Sequence, residues 1–428
     1  MRIDRLGLGG RPAEVLQTLH DRARREGRAA PAALVGEWFG SAAVIAPQLR
    51  TEPVAAHAAF PSGPTLRAAH PSGADGPAVG GGWIGYLAYP DGQGQLPVAA
   101  GGWTDSVLRL DTDGCWWYES LTGEHCPAAL VGAVLDPKPE PEGWSMKWRF
   151  PERDLHHRMV EACKDAIRAG EVYQSCICTQ FTGHYTGNTA EFFADGIDQI
   201  QPARAAYLEG GWGAIASFSP ELYLARNGTT VTSSPIKGTL PLSADPADLR
   251  RSTKDVAENV MIVDLVRNDL GRVAVTGSVT VAELLRVHPA PGVWHLVSTV
   301  TAEVPEATTS ADLFGATFPP ASVTGCPKQR ARELISDWEN YARGVYCGTV
   351  GMISPRAGLE LNVAIRTVEF TPTGSAVLGV GGGITIDSTA DAEWQECLDK
   401  ARSIITFTAR HPQTIAPLGV TPGQGRVG

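Results

Sequence analysis

The sequence has no long apolar run, no Cys-x-x-Cys pair and no excess of basic residues, and each absence excludes a class of protein. No run approaches the roughly 18 apolar residues of a membrane-spanning helix, so we expect no membrane segment. The 36 Lys and Arg against 46 Asp and Glu give a net charge of −10, which disfavours binding to nucleic acid or to an anionic membrane. The opening residues MRIDRLGLGGRP lack the apolar core of a signal peptide, and we therefore expect a cytoplasmic protein.

The eight cysteines are scattered along the chain rather than grouped. Cys176 and Cys178 are the closest pair, and their spacing is too tight for a zinc knuckle. In a chain of this size, isolated cysteines usually pack as small apolar residues in the reduced form. We therefore predict free thiols and no thiolate metal site.

A segment rich in proline and charge divides the chain. Residues 136–143 read DPKPEPEG, and alternating prolines and charges are typical of a linker. At 428 residues the chain is also too long for one ordinary core. We predict an N-terminal region over residues 1–140, a catalytic domain over residues 144–410 and a loose tail over residues 411–428.

Helical and strand patterns are interspersed irregularly beyond this linker. Helical spacing predicts a helix over residues 252–270, capped by Ser252, and another from about Ala390 to Ala409, with Asp387 or Ser388 near its start. Strand-like runs such as LELNVAIRTVEF and AVLGVGGGITI outnumber the helices. The pattern favours a large α+β architecture with mixed or antiparallel sheets over a Rossmann fold.

One lysine stands in an apolar, turn-forming segment, SSPIKGTLP, where Ile236 and Gly238 flank Lys237. The simplest interpretation is a surface lysine at the end of a strand. The alternative is a desolvated amine, because burial favours the neutral form of a lysine and the neutral amine is a nucleophile. The segment alone does not decide between them.

Two predicted helices carry carboxylates that are candidates for a metal site. Glu258 lies on the apolar, inward face of the helix over residues 252–270, where an unpaired charge would be costly. On the last helix Glu393, Glu396 and Lys400 fall within one sector. A helix-start glutamate and an i,i+4 salt bridge are the ordinary explanations. The functional one is Mg²⁺ held between Glu258 and Glu396, because Mg²⁺ is usually bound by one or two carboxylates.

Glycine-rich runs and one arginine are candidates for anion binding. The run GVGGGITIDS, with Gly381–Gly383, would expose backbone N–H groups that suit a carboxylate, although a tight turn is the ordinary explanation. Arg366 alternates with apolar residues in NVAIRTVEF and would need an anion there. The earlier run GGGWIG fits a nucleotide-binding pattern, but a strand and a turn follow it instead of a helix. We interpret these earlier glycines as structural.

Eight segments taken together resemble one family, the chorismate-utilising enzymes, which include anthranilate synthase and aminodeoxychorismate synthase component I. The resemblance is strong over residues 145–407 and weaker for the N-terminal segment GGWIGYLAY. It implies a large α+β fold in which two antiparallel sheets form a central sandwich flanked by helices. The segments, in the family's order, are SFSPELYL, SSPIKGT, AENVMIVDLVRNDLGRV, VWHLVST, FPPASVTGCPK, GVYCGTVG, NVAIRT and GGGITIDSTADAEWQECLDKA.

The resemblance implies roles for individual residues. Glu258 and Glu396 would bind Mg²⁺, which holds the ring carboxylate of chorismate, and Glu393 would support the metal through water. Glu221 would be the general acid that protonates the departing C4 hydroxyl, and His295 would lie beside the ring. The other implied substrate-binding residues, among which Arg366 and the glycine amides would hold the second carboxylate, are Gly238, Thr239, Arg366, Gly381, Gly382, Gly383 and Lys400.

The lysine motif separates members of the family. Anthranilate synthases usually read PIAGT, whereas aminodeoxychorismate synthases read PIKGT, as this chain does. The resemblance implies that Lys237 attacks C2 of chorismate, expels the C4 hydroxyl and forms a covalent intermediate before ammonia enters at C4. The implied product is 4-amino-4-deoxychorismate, on the way to p-aminobenzoate. The pocket around Lys237 would then need to be dry.

The resemblance also implies partners, and the chain departs from the family pattern in places. No glutaminase signature is visible, so the implied ammonia source is a separate glutamine amidotransferase subunit, and the implied consumer of the product is an aminodeoxychorismate lyase. The loop LPLS replaces two arginines, and Met352 replaces a common tyrosine, which would remove a hydrogen bond to substrate. The segment QPARAAY and the missing LLES-like element predict no inhibition by tryptophan.

Alternative functions stay open at this point. An anthranilate, isochorismate or salicylate synthase would share the fold, but these enzymes lack the lysine. A catalytically silent binding subunit would also share the fold, although the retained lysine, arginine and glutamates argue against it. A nucleotide-binding protein built on GGGWIG is disfavoured, because the helix and the acidic partner of that motif are missing.

Overall fold

The computed structural model describes residues 1–61, 78–92, 94–407 and 409. The predicted tail over residues 411–428 lies outside this part of the chain. In chain order the strands are β1 (Arg2–Leu8), β2 (Ala32–Trp38), β3 (Ser41–Ala46), β4 (Glu52–Pro53), β5 (Gly82–Leu87), β6 (Ala99–Thr104), β7 (Ser106–Leu110), β8 (Cys115–Ser120), β9 (Trp144–Arg149), β10 (Gln174–Gly187), β11 (Arg204–Gly210), β12 (Gly213–Ser219), β13 (Leu222–Asn227), β14 (Thr230–Ser234), β15 (Ile236–Pro241), β16 (Thr280–Ala290), β17 (Val293–Glu303), β18 (Gly325–Cys326), β19 (Thr349–Ser354), β20 (Gly358–Val363), β21 (Thr367–Phe370) and β22 (Ser375–Ile384).

The α-helices cover the outer faces of the sheets, and no described helix combines the length and apolar character needed to cross a lipid bilayer. In chain order they are α1 (Pro12–Glu26), α2 (Ala128–Leu135), α3 (Arg153–Arg168), α4 (Thr189–Ile200), α5 (Ala247–Arg251), α6 (Thr253–Gly271), α7 (Ser310–Thr317), α8 (Lys328–Trp338) and α9 (Ala390–Ile405).

The strands form two large antiparallel sheets. The first has the order β1-β8-β7-β3-β2-β11-β12-β21-β22-β10-β18, and β9 pairs with the second half of β10. The other has the order β15-β17-β14-β13-β20-β19-β5-β6-β4, and β16 also pairs with β17. Strands from residues 1–140 therefore lie in both sheets beside strands from residues 144–410, since β2 pairs with β11 and β5 pairs with β19. The predicted α+β fold with antiparallel sheets is confirmed.

Three apolar clusters hold these layers together. One packs α1, α4 and α9 against the first sheet, and a second packs α6 and α7 against the other. The third lies between the sheets, where Leu34 and Ile215 of the first sheet meet Tyr86 and Val350 of the second. Met352 belongs to this third cluster and is fully buried, so its side chain lies among apolar neighbours.

The two helices that matter for the site begin close to where the sequence predicts. Helix α6 runs over Thr253–Gly271, and the Ser252 side chain accepts a hydrogen bond from the Asp255 amide at 3.2 Å, which confirms the predicted cap. Helix α9 begins at Ala390, as predicted, and ends at Ile405, four residues before the predicted end; its N-cap is Thr389, next to the predicted Asp387 and Ser388. The Thr389 hydroxyl reaches the Ala392 amide, the ordinary N-cap bond.

Two smaller predictions also have clear outcomes. All eight cysteines are free thiols and six of them are buried, as expected for small apolar packing residues. The glycines of GGGWIG lead into strand β5, which confirms that they are structural. A Cβ on Gly82 would lie 2.1 Å from the carbonyl oxygen of Ile353, and its φ of +149° is one that other residues rarely adopt.

Candidate active site

Strand β22 forms the floor of a site in which charged groups from three elements meet. A Cβ on Gly383 would lie 3.4 Å from Glu258 Oε2 of α6 and 3.6 Å from Lys237 Nζ of β15. A Cβ on Gly382 would lie 3.1 Å from Glu393 Oε2 and 3.5 Å from Glu396 Oε1 of α9. The structure therefore brings together the lysine and all three glutamates singled out in the sequence.

The glycine run is part of a regular strand rather than a loop. Gly381, Gly382 and Gly383 pair with Cys178, Ile177 and Cys176 of β10, and none of the three has a positive φ. The expectation of a run of exposed amides is therefore wrong in part, because one edge of β22 is occupied by β10. The Gly381 carbonyl accepts a hydrogen bond from Lys400 Nζ at 2.8 Å and so faces the other edge. Because backbone groups alternate between the two edges of a strand, the N–H and C=O groups of Gly383 face the same edge as those of Gly381.

Glu258 is inward-facing, as its position on the apolar face of α6 predicts. It is 6% exposed, and its Oε1 atom has no hydrogen-bond partner among the described residues. Burial raises the pKa of Glu258 above its ordinary value, although the ammonium groups of Lys237 and Lys254 act in the opposite direction. A buried carboxylate oxygen without a partner is costly unless a cation or a proton joins it.

Lys254 lies between two of the carboxylates. Its Nζ atom is 2.9 Å from Glu393 Oε1 and 3.8 Å from Glu258 Oε1. The sequence analysis missed this residue, although it stands four positions before Glu258 and so on the same helix face. Its contact with Glu393 joins α6 to α9, and no sequence pattern predicts a contact between residues so far apart.

Lys400 and Glu396 form a second pair at the rim of the site. Their Nζ and Oε1 atoms are 2.7 Å apart, as the i,i+4 spacing on α9 predicts. Burial acts to raise the pKa of Glu396, but the Lys400 ammonium outweighs it and holds that pKa below its ordinary value. Burial acts to lower the pKa of Lys400, and the Glu396 carboxylate instead raises it.

Glu221 and Lys237 both contact Ser322, one through its side chain and the other through its carbonyl. Lys237 is half-buried, and its Nζ atom donates to the Ser322 carbonyl at 3.0 Å. Glu221 is 4% exposed, and burial raises its pKa to about 7 despite a hydrogen bond from the Ser322 side chain and the nearby Lys237 charge. A carboxyl with that pKa is partly protonated near neutral pH, which suits a general acid. Ser322 gave no signal in the sequence.

His295 and Thr239 lie beside this pair on neighbouring strands β17 and β15. His295 Nδ1 and Thr239 Oγ1 are 2.9 Å apart, and the imidazole is 4% exposed. Burial lowers the pKa of His295 to about 4, helped by the charge of Arg366, so the ring is neutral at physiological pH. Gly238 has a φ of +82°, and a Cβ there would lie 3.1 Å from Asp255, so the register shift in β15 before Thr239 favours glycine.

Arg366 does not lie within a strand, contrary to its predicted place in the run NVAIRTVEF. Strand β20 ends at Val363 and β21 begins at Thr367, and Arg366 between them has a φ of +51°, which is uncommon for a residue with a Cβ. No carboxylate in the described part of the chain pairs with its guanidinium, and burial lowers its pKa. A desolvated cation without a partner is suited to an anionic ligand.

Gln174 is a further residue that the sequence analysis missed. It begins β10, is 1% exposed, and neither its amide nitrogen nor its amide oxygen has a hydrogen-bond partner in the described chain. Its Oε1 atom lies 3.6 Å from where a Cβ on Gly383 would be. A buried amide with both groups free usually meets a ligand or an ordered water.

The glutamates fit a divalent cation by their chemistry, although they are not arranged as a preformed cluster. Glu258 Oε1 and Glu393 Oε2 are buried carboxylate oxygens without hydrogen-bond partners in the described residues. Within those same residues no group of three or more His, Cys, Asp or Glu side chains is gathered closely enough to hold a metal. Hard oxygen donors with room for waters are what Mg²⁺ requires.

Comparison with known proteins agrees with this arrangement. The sequence profile of the chorismate binding enzymes matches residues 70–406, most of the chain. The chain belongs to that family. Aminodeoxychorismate synthase component 1 of Escherichia coli is 39% identical over 260 residues, which cover 59% of this chain and 57% of that relative. The component 1 of Salmonella typhimurium is 42% identical over 295 residues, which cover 67% of this chain and 63% of the relative.

Two solved structures share the fold of this chain. Anthranilate synthase component I from Streptococcus pneumoniae superposes with a TM-score of 0.66 at 25% identity and covers 94% of this chain and 92% of its own. MenF, the menaquinone-specific isochorismate synthase of Escherichia coli, has a TM-score of 0.68 at 18% identity, with coverage of 95% and 94%. The curated relatives above are matched over only about three-fifths of their length.

Proposed function

We propose that this chain is the aminating component of an aminodeoxychorismate synthase, which replaces the C4 hydroxyl of chorismate with an amino group. The observation that carries the proposal is the position of Lys237, whose Nζ atom lies against the Ser322 carbonyl and close to the Gly383 floor. The similarity to two relatives named aminodeoxychorismate synthase component 1 supports it. In this proposal the protein works in the cytoplasm.

The reaction runs in two displacements in this mechanism. The free amine of Lys237 attacks C2, the two ring double bonds shift, and the C4–O bond breaks while Glu221 gives its proton to the departing oxygen, which leaves as water. Ammonia then attacks C4, the double bonds shift back, and the C2–Nζ bond breaks to release the lysine. Glu221 takes a proton from the incoming nitrogen and is ready for the next cycle.

The charged groups around the floor bind and orient the substrate in this proposal. Glu258 and Glu396 would hold Mg²⁺, with Glu393 supporting it through water, and when bound the ion neutralises and positions the ring carboxylate of chorismate. Arg366 and the outward amides of Gly381 and Gly383 would bind the second carboxylate. Neutral His295 would face the ring, and Lys400 would balance the charge of Glu396.

Two partners belong to the proposal. The name component 1 of the relatives points to a second component, and we assign that role to a glutamine amidotransferase that supplies ammonia. An aminodeoxychorismate lyase would convert the product to p-aminobenzoate. Amination at C2 or hydroxylation, as in the anthranilate and isochorismate synthases that share the fold, is the second candidate function.

A product assay tests the proposal. Purified protein is incubated with chorismate, MgCl₂ and ammonium chloride, with and without an aminodeoxychorismate lyase, and the products are resolved by chromatography. We expect p-aminobenzoate only when the lyase is present. Anthranilate, isochorismate or salicylate would establish the second candidate instead, and no turnover with ammonium or with a glutaminase partner would indicate a silent binding subunit.

A further inference from the structure

Helix α8 begins with a lysine, although the start of a helix is an unfavourable place for a positive charge. Lys328 follows the N-cap residue Pro327, and the first turn of a helix ordinarily favours acidic side chains because the helix dipole is positive there. Only 15% of the lysine side chain is exposed, and burial lowers its pKa even though the Asp269 carboxylate opposes that shift. A residue that departs from local preference in this way usually has a specific role in the site.

The ammonium group of Lys328 has three partners, which match its three N–H groups. Its Nζ atom lies 2.5 Å from Asp269 Oδ2 of α6. It also donates to the carbonyl oxygens of Thr317 and Pro319 at 2.8 and 2.9 Å. Lys328 therefore joins α8 to α6 and to the segment that follows α7.

Prolines remove two amide donors from this segment. Residues 317–323 read TFPPASV, and neither proline has an N–H group that could bond its surroundings. Carbonyl groups make the bonds instead: Lys328 holds two of them, and the Thr324 hydroxyl donates to a third, that of Pro320, at 2.6 Å. The conformation of the segment therefore depends on donors from side chains outside it.

The segment leads to the residue that contacts both proposed catalytic groups. Ser322 lies in a single 3₁₀ turn, Ala321–Val323, three positions after Pro319. Its side chain hydrogen-bonds Glu221, and its carbonyl accepts a hydrogen bond from Lys237 Nζ at 3.0 Å. A shift of the Pro319 carbonyl would therefore move both contacts at once.

We propose that Lys328 is a positioning residue for the amination, which fixes Ser322 through the backbone and thereby sets the placement of Lys237 and Glu221. The inference rests on the proposed function, in which these two residues are the nucleophile and the general acid. The carboxylate of Asp269 balances the charge that the buried ammonium group brings with it.

Lys328→Met tests the proposal, because it removes the three donors and keeps an unbranched side chain. Rates are measured with chorismate, MgCl₂ and ammonium chloride across a range of pH. We expect kcat to fall by about 10- to 100-fold and KM for chorismate to stay within about twofold, because the groups that would bind its carboxylates lie on other elements. The hydrogen bond from Ser322 lowers the pKa of Glu221, so its loss should move the descending limb of the profile to a pH above about 7.

Lys164→Met is the matched control. The Lys164 side chain is 13% exposed, close to the value for Lys328, and its partner Glu161 lies 3.6 Å away on the same helix α3. We expect neither kcat nor the limb to change in this variant. Lys328→Gln keeps two donors, and it should show the changes of Lys328→Met to a smaller extent; it provides the measurement if Lys328→Met does not fold.

A double variant separates positioning from a general loss of structure. Ser322→Ala removes the side-chain bond to Glu221 directly and should move the limb in the same direction as Lys328→Met does. Because both changes act on one bond, the limb of the double variant should lie where it lies in Lys328→Met alone. Additive shifts would show that the lysine acts elsewhere and would overturn the inference.

Amide hydrogen exchange without substrate gives a second readout. The amides of Val323 and Thr324 bond to carbonyls of the same segment at 3.4 and 3.3 Å, and we expect them to exchange faster in Lys328→Met but not in Lys164→Met. Unchanged exchange together with an unchanged limb in Lys328→Met would overturn the inference alone. A wild-type protein that aminates nothing would overturn the proposed function and the inference together.

Discussion

The ammonium group of Lys254 lies 2.9 Å from Glu393 Oε1 and 3.8 Å from Glu258 Oε1, and so a lysine of α6 holds one carboxylate of each helix of the site. The two carboxylates are buried, and each keeps one oxygen without a hydrogen-bond partner in the described residues. A fixed positive charge and a bound divalent cation would therefore share the same acidic groups.

Replacing this lysine should separate its two effects. Lys254→Met removes a charge that offsets two buried carboxylates, and we expect the free energy of unfolding to fall by about 1 kcal/mol without metal, because the lysine is partly exposed and screened. The same variant should gain more thermal stability from added MgCl₂ than the wild type does, as measured by calorimetry. Lys254→Arg serves as the charge-preserving control, and equal Mg²⁺ stabilisation in all three proteins would contradict the shared-site interpretation.

The covalent role that we propose for Lys237 has a direct chemical test. Without ammonia, incubation with chorismate should leave an adduct of chorismate minus one water on the wild-type chain, detected by intact-mass spectrometry. Lys237→Ala should show no adduct and should lose more than about 1000-fold of its 4-amination rate, because no other amine can replace the nucleophile. Lys147→Ala, at an exposed position of β9, is the control. Full activity in Lys237→Ala would remove the covalent step from the mechanism.

The raised pKa of Glu221 predicts a particular pH dependence. In the proposed mechanism Glu221 acts as general acid in its protonated form, so the rate of the first step should fall as the pH rises through about 7. Glu221→Gln should lose this limb of the profile and about 10²–10⁴-fold in rate. The free energy of unfolding should also fall as the pH rises. Glu221 binds its proton more tightly in the native state than in the unfolded state, so its stabilising contribution is fully present below the ordinary carboxyl pKa and is lost as the pH rises through about 7. Denaturation midpoints of wild type and Glu221→Gln between pH 4.5 and 7 measure it.

A single methyl group on the floor should affect activity far more than stability. Gly383 has no positive φ, and a Cβ there would make only ordinary contacts of 3.4 and 3.6 Å. We therefore expect Gly383→Ala to change the free energy of unfolding by less than about 1 kcal/mol and to lower kcat/KM at least tenfold, because the methyl group occupies space meant for ligands. Gly211→Ala, where a Cβ meets nothing within 4 Å, is the comparison variant. Equal activity in the two would show that no ligand reaches this floor.

The sequence predicted those parts of the site that depend on local periodicity. The inward face of α6 placed Glu258 correctly, and the i,i+4 spacing on α9 gave the Glu396–Lys400 pair. The sequence could not predict the contacts of the site that join segments far apart in the chain. The Lys254–Glu393 contact spans 139 residues, and the Ser322 carbonyl reaches Lys237 across 85.

Arg366 shows a different limit of sequence patterns. Its neighbours alternate like those of a strand, yet the chain bends at this residue because the two flanking strands belong to different sheets. Alternation in the sequence indicates extended chain, but it does not mark where one strand ends and the next begins, and every residue of β21 is buried. The bend with positive φ has no local signal, because arginine is not a residue that favours it.

Lys400 connects the charge of the site to its backbone. The same ammonium group bonds the Glu396 carboxylate and the Gly381 carbonyl, so the strand edge and the acidic helix share one donor. A cation that draws Glu396 away leaves the lysine with the strand as its remaining partner in the described chain. The amide hydrogen-exchange rate along β22 is therefore a reporter of metal loading that needs neither substrate nor turnover.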